Sequence, residues 1–163
     1  MPEGPEVKKL SQYLDKFFKK NKILKFKILK GRYSKKIPNG YENFMKNFPY
    51  DVKCVLSKGK FIYFTLNKSC YIFNTLGMSG FWTTEKLKHS NFMFETEKGS
   101  LYFNDQRNFG TLKFIFTEDE LINKLSTIGP DMLDLNVKLD IFLKRINLKK
   151  NKNKSIATIL MDQ

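Results

Sequence analysis

The chain has 163 residues, 41% of them hydrophobic and 15% aromatic, which suffices for one packed core and argues against a disordered tract. Thirty Lys and Arg against 16 Asp and Glu give a formal charge of +14, which favours a polyanionic partner, lysine-rich codon usage being the bland alternative. No apolar run approaches membrane-spanning length, the N-terminus lacks a signal-peptide core, and no basic amphipathic helix carries exposed aromatics, so a membrane role is set aside.

The first segment, "MPEGPEV", has the punctuation of a helix start. Pro5 suits the first turn, where no backbone N–H is missed, Gly4 can cap, and Glu6 lies in the positive field of the helix N-terminus. From there Val7, Leu10, Leu14, Phe17 and Phe18 fall on one helical face. "KILKFKILK" alternates and predicts a half-buried strand with Leu24, Phe26 and Ile28 on its inner side. "DVKCVLSKGKFIYFTL" predicts a hairpin turning at Ser57-Lys58-Gly59. "CYIFNTL", "NFMFET", "SLYFNDQ" and "TLKFIF" continue as short strands separated by "GMSG", "EKG" and "RNFG".

After Phe116 the texture changes. Thr117 and Glu120 have the spacing of a capping box and open a helix through Leu125. "IGPDML" breaks it, "VKLDIFLKRIN" and "SIATILMDQ" have helical periodicity, and "LKKNKNKS" joins them. The pattern predicts an α+β fold: an N-terminal helix with an antiparallel β-sandwich over residues 1–116, then a helical module begun over residues 117–163. The chain stops in or at the end of a helix without a terminating cap, and so reads as unfinished.

Several familiar sites are absent. "GMSG" lacks the G-x-S-x-G spacing of a nucleophile elbow, and there is no P-loop or dinucleotide fingerprint. The single histidine, His89, has no nucleophile in a recognisable setting and reads as a surface or packing residue. Glu118, Asp119 and Glu120 serve helix capping rather than a metal. Cys54 and Cys70 lack a CxxC partner and read as buried thiols of strand-like segments in a reducing compartment, so no zinc or other cofactor is expected.

What remains is an ordered set: "MPEGPEV", "SKGKFIYF", "TLGMSG", "NDQRNFG" and "IGPDML". Together they resemble the formamidopyrimidine-DNA glycosylase/endonuclease VIII family of base-excision repair enzymes, over the whole chain. "PEGPE" is closer to the endonuclease VIII-like branch, since the purine-directed branch usually has Leu where Gly4 stands. The resemblance implies a helix-two-turns-helix module at the C-terminal end, and a bifunctional glycosylase and abasic-site lyase that acts on oxidised bases through an N-terminal proline iminium. Its partner would be damaged double-stranded DNA, bound by a monomer inside the cell.

The same resemblance assigns residues. Loss of Met1 would leave Pro2 with a free secondary amine; an α-amino group, with a pKa near ~8, is partly neutral at pH 7, and a nearby helix N-terminus disfavours its charged form further. Glu3 matches the acid/base carboxylate, Glu6 a second glutamate with an orienting role, and Lys60 the hairpin lysine that contacts phosphate and the lesion sugar. Met78, Arg107 and Phe109 match the residues that fill the gap left by an extruded base. Lys154 matches a phosphate-contacting basic residue. Thr75, Gln106 and Asn108 depart from the family's usual His, Pro and second Arg, and leave the lesion preference open. The family continues past "LMDQ" with a Gly-x-Gly-Asn turn, the rest of the module and a β-hairpin finger; a zinc finger would lie beyond Gln163. The rival expectation is a truncated or degenerate paralogue that binds DNA without excision.

Overall fold

The computed structural model describes residues 1–131, 133–134, 137–148 and 151–161. Helix α1 (Gly4–Phe18) begins where expected: Pro5 lies in its first turn, and the Glu6 carboxylate accepts the Glu3 N–H at 2.9 Å. It buries Val7, Ser11, Leu14 and Phe18, while Leu10 and Phe17 are partly covered. Strands follow as β1 (Lys22–Ile28), β2 (Tyr50–Lys58), β3 (Phe61–Leu66), β4 (Tyr71–Thr75), β5 (Phe81–Thr83), β6 (Ser90–Thr96), β7 (Gly99–Asn104) and β8 (Thr111–Ile115). A 3-10 turn (Gly31–Ser34) and α2 (Tyr41–Met45) lie between β1 and β2. Helices α3 (Glu118–Thr127), α4 (Leu139–Ile146) and α5 (Ile156–Met161) complete the order. The expected α+β architecture is therefore present.

The strands form one antiparallel sheet in the order β5-β7-β6-β1-β2-β3-β4-β8. β1 and β2 pair at only two positions, Lys22 with Asp51 and Ile23 with Tyr50. On either side of this short seam the sheet doubles over, and aromatic side chains of the two halves meet. Phe64 lies 6.1 Å from Trp82 and 6.3 Å from Phe94, and Phe26 lies 5.4 Å from Phe114, measured between ring centroids. Phe18 brings the end of α1 against Phe64 and Phe94. Phe44 of α2 stacks between Tyr50 and Phe114 at 4.7 and 3.9 Å. The sandwich is filled by burying phenylalanine, which accounts for the high aromatic content.

Three local expectations are corrected. A bulge between Ile23 and Lys25 shifts β1 by one residue, so Ile23 and Phe26 are buried and Leu24 is exposed. The β2–β3 hairpin pairs Lys58 with Phe61, which moves its turn to Gly59-Lys60, with Gly59 at φ +55°. Cys70 precedes β4 instead of lying in it, and Cys54 on β2 is only half-buried. The Thr117 cap is as expected: its hydroxyl accepts the Glu120 N–H at 3.4 Å and reaches the Glu120 carboxylate at 3.2 Å. The helix runs two residues further, to Thr127. The "SIATILMDQ" helix is seen through Met161; Asp162 and Gln163, and Met132 of "IGPDML", lie outside the described residues.

The sheet edges are blunted. β5 is three residues long. On β8 the Leu112 N–H donates to the Tyr33 hydroxyl at 2.6 Å and the Phe114 N–H to the Asn39 carbonyl at 2.9 Å. Burial raises the Tyr33 phenol above its ordinary pKa, so it stays protonated and returns a bond to the Leu112 carbonyl at 3.1 Å.

On the outer face of β3, β4 and β8 a second cluster forms from Phe61, Tyr71, Phe73 and Ile115, and α3 covers it with Leu121. The Lys58 ammonium donates to the Leu125 carbonyl at 2.8 Å, in the last turn of α3, where a cation suits the helix dipole. The Gly59 N–H reaches the Asp131 carboxylate at 3.4 Å, and Lys8 donates to the Leu133 carbonyl at 3.3 Å. These bonds draw the segment after α3 back against α1 and the hairpin. Among the described residues, no helix is long and apolar enough to cross a membrane.

Burial pushes the Cys70 thiol up to about 12, and the residue is fully buried. Thiolate is the reactive form. Iodoacetamide at pH 8 is therefore expected to label Cys54 and leave Cys70 unmodified in the native protein, with both modified in denaturant, as read by peptide mass spectrometry.

Candidate functional site: a cleft at the N-terminus

The N-terminus of α1, the β2–β3 turn, the β4–β5 loop and the end of α3 enclose a cleft of about 490 Å³. Met1 and Pro2 form one wall, Lys58, Lys60 and Phe61 a second, Thr75 to Met78 a third, and Lys124, Thr127 and Ile128 the last. Each element delivers its residue for a local reason. Pro2 precedes the helix cap and is held beside the sheet because Val7, one turn on, is buried. Lys60 sits in a two-residue turn, where its side chain must project beyond the strand ends.

The Lys60 ammonium lies 2.6 Å from the Glu3 carboxylate, with the two side chains 32% and 51% exposed. An ion pair this open contributes about 0.2–1 kcal/mol, so its consequence is positional: it holds a carboxylate and a cation together next to Pro2. Glu6 stands one turn along and orients the Glu3 backbone through the 2.9 Å bond already described. Lys58, by contrast, is engaged with the Leu125 carbonyl, and Lys124 lies 5.3 Å above the Phe61 ring. The cleft is thus rimmed by three lysines, of which one faces a carboxylate.

Met78 and Phe109 are 43% and 56% exposed, despite being large and apolar. They stand on two loops that touch: a Cβ added at Gly77 would lie 2.7 Å from the Gly110 nitrogen and from the Phe109 carbonyl carbon. The Arg107 guanidinium donates to the Met78 sulfur at 3.3 Å. Met78, Arg107 and Phe109 therefore form one exposed group at the cleft rim, where the glycines beside Met78 and Phe109 mark the turns. Lys154 lies just before α5, its N–H bonded to the Asn151 carbonyl at 3.0 Å, and is not among the residues that line the cleft. The structure brings together Pro2, Glu3, Glu6, Lys60, Met78, Arg107 and Phe109, and leaves Lys154 apart.

Sequence reasoning did not find three features. The Glu3–Lys60 pair joins residues assigned separately, and nothing in their spacing announces it. Lys124 is one lysine of many and gains meaning only because α3 packs back on the sheet. Asp105 is 1% exposed and binds both rim loops. Its carboxylate accepts from the Ser79 hydroxyl at 2.5 Å, the Arg107 N–H at 3.2 Å and the Gly110 N–H at 2.7 Å. An aspartate among Asn, Gln and Gly reads as turn chemistry, which gave it no separate signal. Among the described residues, no cluster of three or more His, Cys, Asp or Glu could hold a metal.

Comparison with known proteins bears on this arrangement. The family model for the formamidopyrimidine-DNA glycosylase N-terminal domain matches residues 1–112. Over its whole length the chain is 31% identical to the formamidopyrimidine-DNA glycosylase of Ligilactobacillus salivarius and 33% identical to that of Mycoplasma mobile. It spans 60% of the length of each of these curated relatives. Among solved structures, Lactococcus lactis formamidopyrimidine-DNA glycosylase, bound non-covalently to DNA containing an AP site, is similar with a TM-score of 0.68. Identity there is 22%, covering 77% of this chain and 49% of that one. The wild-type Lactococcus lactis enzyme with DNA containing an oxidised pyrimidine gives 0.66 at 24% identity, covering 77% and 48%. At these identities the structural likeness speaks for the fold. The residue behind the endonuclease VIII-like expectation, Gly4, has ordinary room, since an added Cβ would meet Leu133 at 3.6 Å.

Gly77 has φ +61° and no space for a Cβ. Gly77→Ala is expected to lower stability by about 1–3 kcal/mol in a denaturant melt, since non-glycine residues in this region are strained by that order. Met78→Ala, on the adjacent exposed position, is expected to stay within about 0.5 kcal/mol of the parent.

Proposed function

We propose that this chain, which belongs to the formamidopyrimidine-DNA glycosylase family, carries the chemistry of a base-excision repair glycosylase that removes oxidised bases and then cleaves the abasic site. The observation that carries this reading is the convergence of Pro2, Lys60 and Met78 on one cleft, with Glu3 2.6 Å from Lys60.

While Met1 is attached, the Pro2 nitrogen is an amide and cannot attack. Once Met1 is removed it becomes a secondary amine, with a lone pair available to a useful fraction at neutral pH. That nitrogen attacks C1′ of the damaged nucleotide, and the base departs with the electrons of the glycosidic bond. The proton of the new ammonium passes to the Glu3 carboxylate and from it to O4′ as the sugar ring opens, leaving an iminium at C1′. Loss of a C2′ proton then expels the 3′ phosphate, a second elimination expels the 5′ phosphate, and water releases Pro2. Glu3 enters this sequence as the proton acceptor, held beside Pro2 by its 2.6 Å contact with Lys60. As DNA enters, a phosphate oxygen competes for the Lys60 ammonium, which frees Glu3 to move its proton.

Met78, Arg107 and Phe109 fill the gap in the duplex: the apolar pair wedges between bases, and the guanidinium meets the orphaned partner base. The formal charge of +14 supplies attraction to the phosphate backbone. Lys154 adds a phosphate contact outside the cleft. In this reading residues 1–116 form the catalytic unit and residues 117–163 begin a DNA-binding module.

Borohydride is expected to trap the natural full-length protein covalently on abasic-site duplex DNA when mass spectrometry verifies a Pro2 terminus, and not when Met1 is retained. Failure to trap with Pro2 free rejects the iminium chemistry and leaves binding through charge. Lys60→Ala is expected to slow excision of an oxidised base about 100-fold, while cleavage of a preformed abasic site falls less than about tenfold. Equal losses reject the role given to Lys60.

A further inference from the structure

Resting on that reading of Met78, Arg107 and Phe109, we propose that Asp105 is a positioning residue which presents all three to the duplex. It is buried beneath these residues and not among those that line the cleft, and the chemistry above makes no use of it.

Asp105 follows β7 and is 1% exposed. Its own backbone is fixed on both sides. The N–H donates to the His89 carbonyl at 2.9 Å, and the carbonyl accepts from the Asn91 side chain at 3.1 Å. The carboxylate therefore projects from a rigid base. One oxygen takes the Ser79 hydroxyl and the Arg107 N–H, and the other takes the Gly110 N–H. The Ser79 hydroxyl accepts the Arg107 N–H as well, at 3.1 Å. Each exposed residue thus stands on, or next to, a group that this carboxylate holds. Met78 precedes Ser79, Arg107 donates its own N–H, and Phe109 precedes Gly110.

Across the gap between the two loops the Arg107 N–H reaches the Ser79 hydroxyl and its guanidinium the Met78 sulfur, and Asp105 is the buried group that holds both loops from beneath. Their backbones approach so closely that Gly77 tolerates no Cβ, Gly110 is closed in by the Phe103 ring and the Asp105 carboxylate itself, and the gap is bridged by charge-assisted bonds to one anion. Asn108, at φ +57°, is steadied separately by the Asn91 amide at 2.8 Å. A wedge must enter the stack as the damaged base leaves, and one already held in place loses less freedom at that moment. Asp105 supplies that preorganisation from beneath, so its substitution is expected to affect unstacking of duplex DNA and to spare chemistry on an unpaired strand.

Asp105→Asn tests this at constant size. The amide presents donors where the wild type offers only acceptors, so at least one of the three bonds is replaced by opposed N–H groups. The probe is a duplex carrying a tetrahydrofuran abasic analogue opposite 2-aminopurine, whose fluorescence rises as it unstacks. Measurements are made on the natural full-length protein, at concentrations where anisotropy shows the DNA saturated. The wild type is expected to give a clear rise and Asp105→Asn less than about half of it, with borohydride trapping on single-stranded abasic DNA within about twofold of wild type and duplex excision about 10- to 100-fold slower. A merely structural residue in a folded, DNA-saturated variant leaves the fluorescence amplitude unchanged, and that result overturns the proposal. No rise with wild type overturns the wedge reading itself, and the Asp105 assignment with it. Ser79→Ala, at a half-buried site, removes two of the same links with little risk to folding. If Asp105→Asn melts far below wild type, Ser79→Ala decides by the same readout: a reduced amplitude supports the proposal, and an unchanged one overturns it.

Discussion

Two residue pairs, Lys22 with Asp51 and Ile23 with Tyr50, join the halves of the eight-stranded sheet, and the rest of the molecule depends on how short that seam is. A long ladder would hold β1 and β2 in one twisted surface with a single buried face. With only two pairs the halves are free to close on each other, and the gain comes from burying rings such as Phe26, Phe64, Phe94 and Phe114 between them. Phe18 enters the same core from α1, so the helix is fixed along β2 and β3. The Asp15 carboxylate adds a 2.7 Å bond from the Val55 N–H. Rigid placement of α1 is what puts Pro2 beside a hairpin turn some sixty residues later in sequence.

The candidate site is built almost wholly from places where regular structure stops. Pro2 and Glu3 precede a helix, Lys60 turns a hairpin, Met78 lies between β4 and β5, and Arg107 and Phe109 lie between β7 and β8. Side chains there are free to face outward, because the backbone beneath them is held by other groups: Glu6 under Glu3, Asp105 under the two rim loops, and Tyr33 under β8. At the rim loops this division of labour sets a buried polar group, Asp105, beneath the exposed apolar Met78 and Phe109. The polar group in the interior fixes the loop, and the apolar group on the surface stays available for a partner.

Much of the architecture was legible because its signals are local. Helical periodicity marked α1, the T-x-x-E spacing marked α3, and alternation marked most strands. Misreadings came where a local pattern met a tertiary demand. Alternation in "KILKFKI" cannot reveal a bulge, which arises from the register imposed by β6, so Leu24 was expected inside and lies outside. Gly59 announced a turn, while its placement at Gly59-Lys60 follows from Lys58 pairing with Phe61. Cys70, expected in a strand, ends a loop and is buried by the closure of the sandwich instead.

Sequence alone determined most of the elements, though not β5, α2 or the 3-10 turn before it, together with the aromatic wealth of the core, the excess of positive charge and, through five short motifs in order, the family. It also named Pro2, Lys60 and Met78 of the cleft lining, with Glu3 beside them, since a terminal Pro-Glu, a hairpin lysine and a glycine-flanked methionine are visible one stretch at a time. Only the tertiary structure decided how they relate. The 2.6 Å Glu3–Lys60 pair, the contact of Arg107 with Met78, the return of α3 over Phe61 and the three bonds of Asp105 each join residues from different segments. The physical reason is that a hydrogen bond or ion pair acts over a few ångströms of space, and chain separation says nothing about such distances until the sheet has closed.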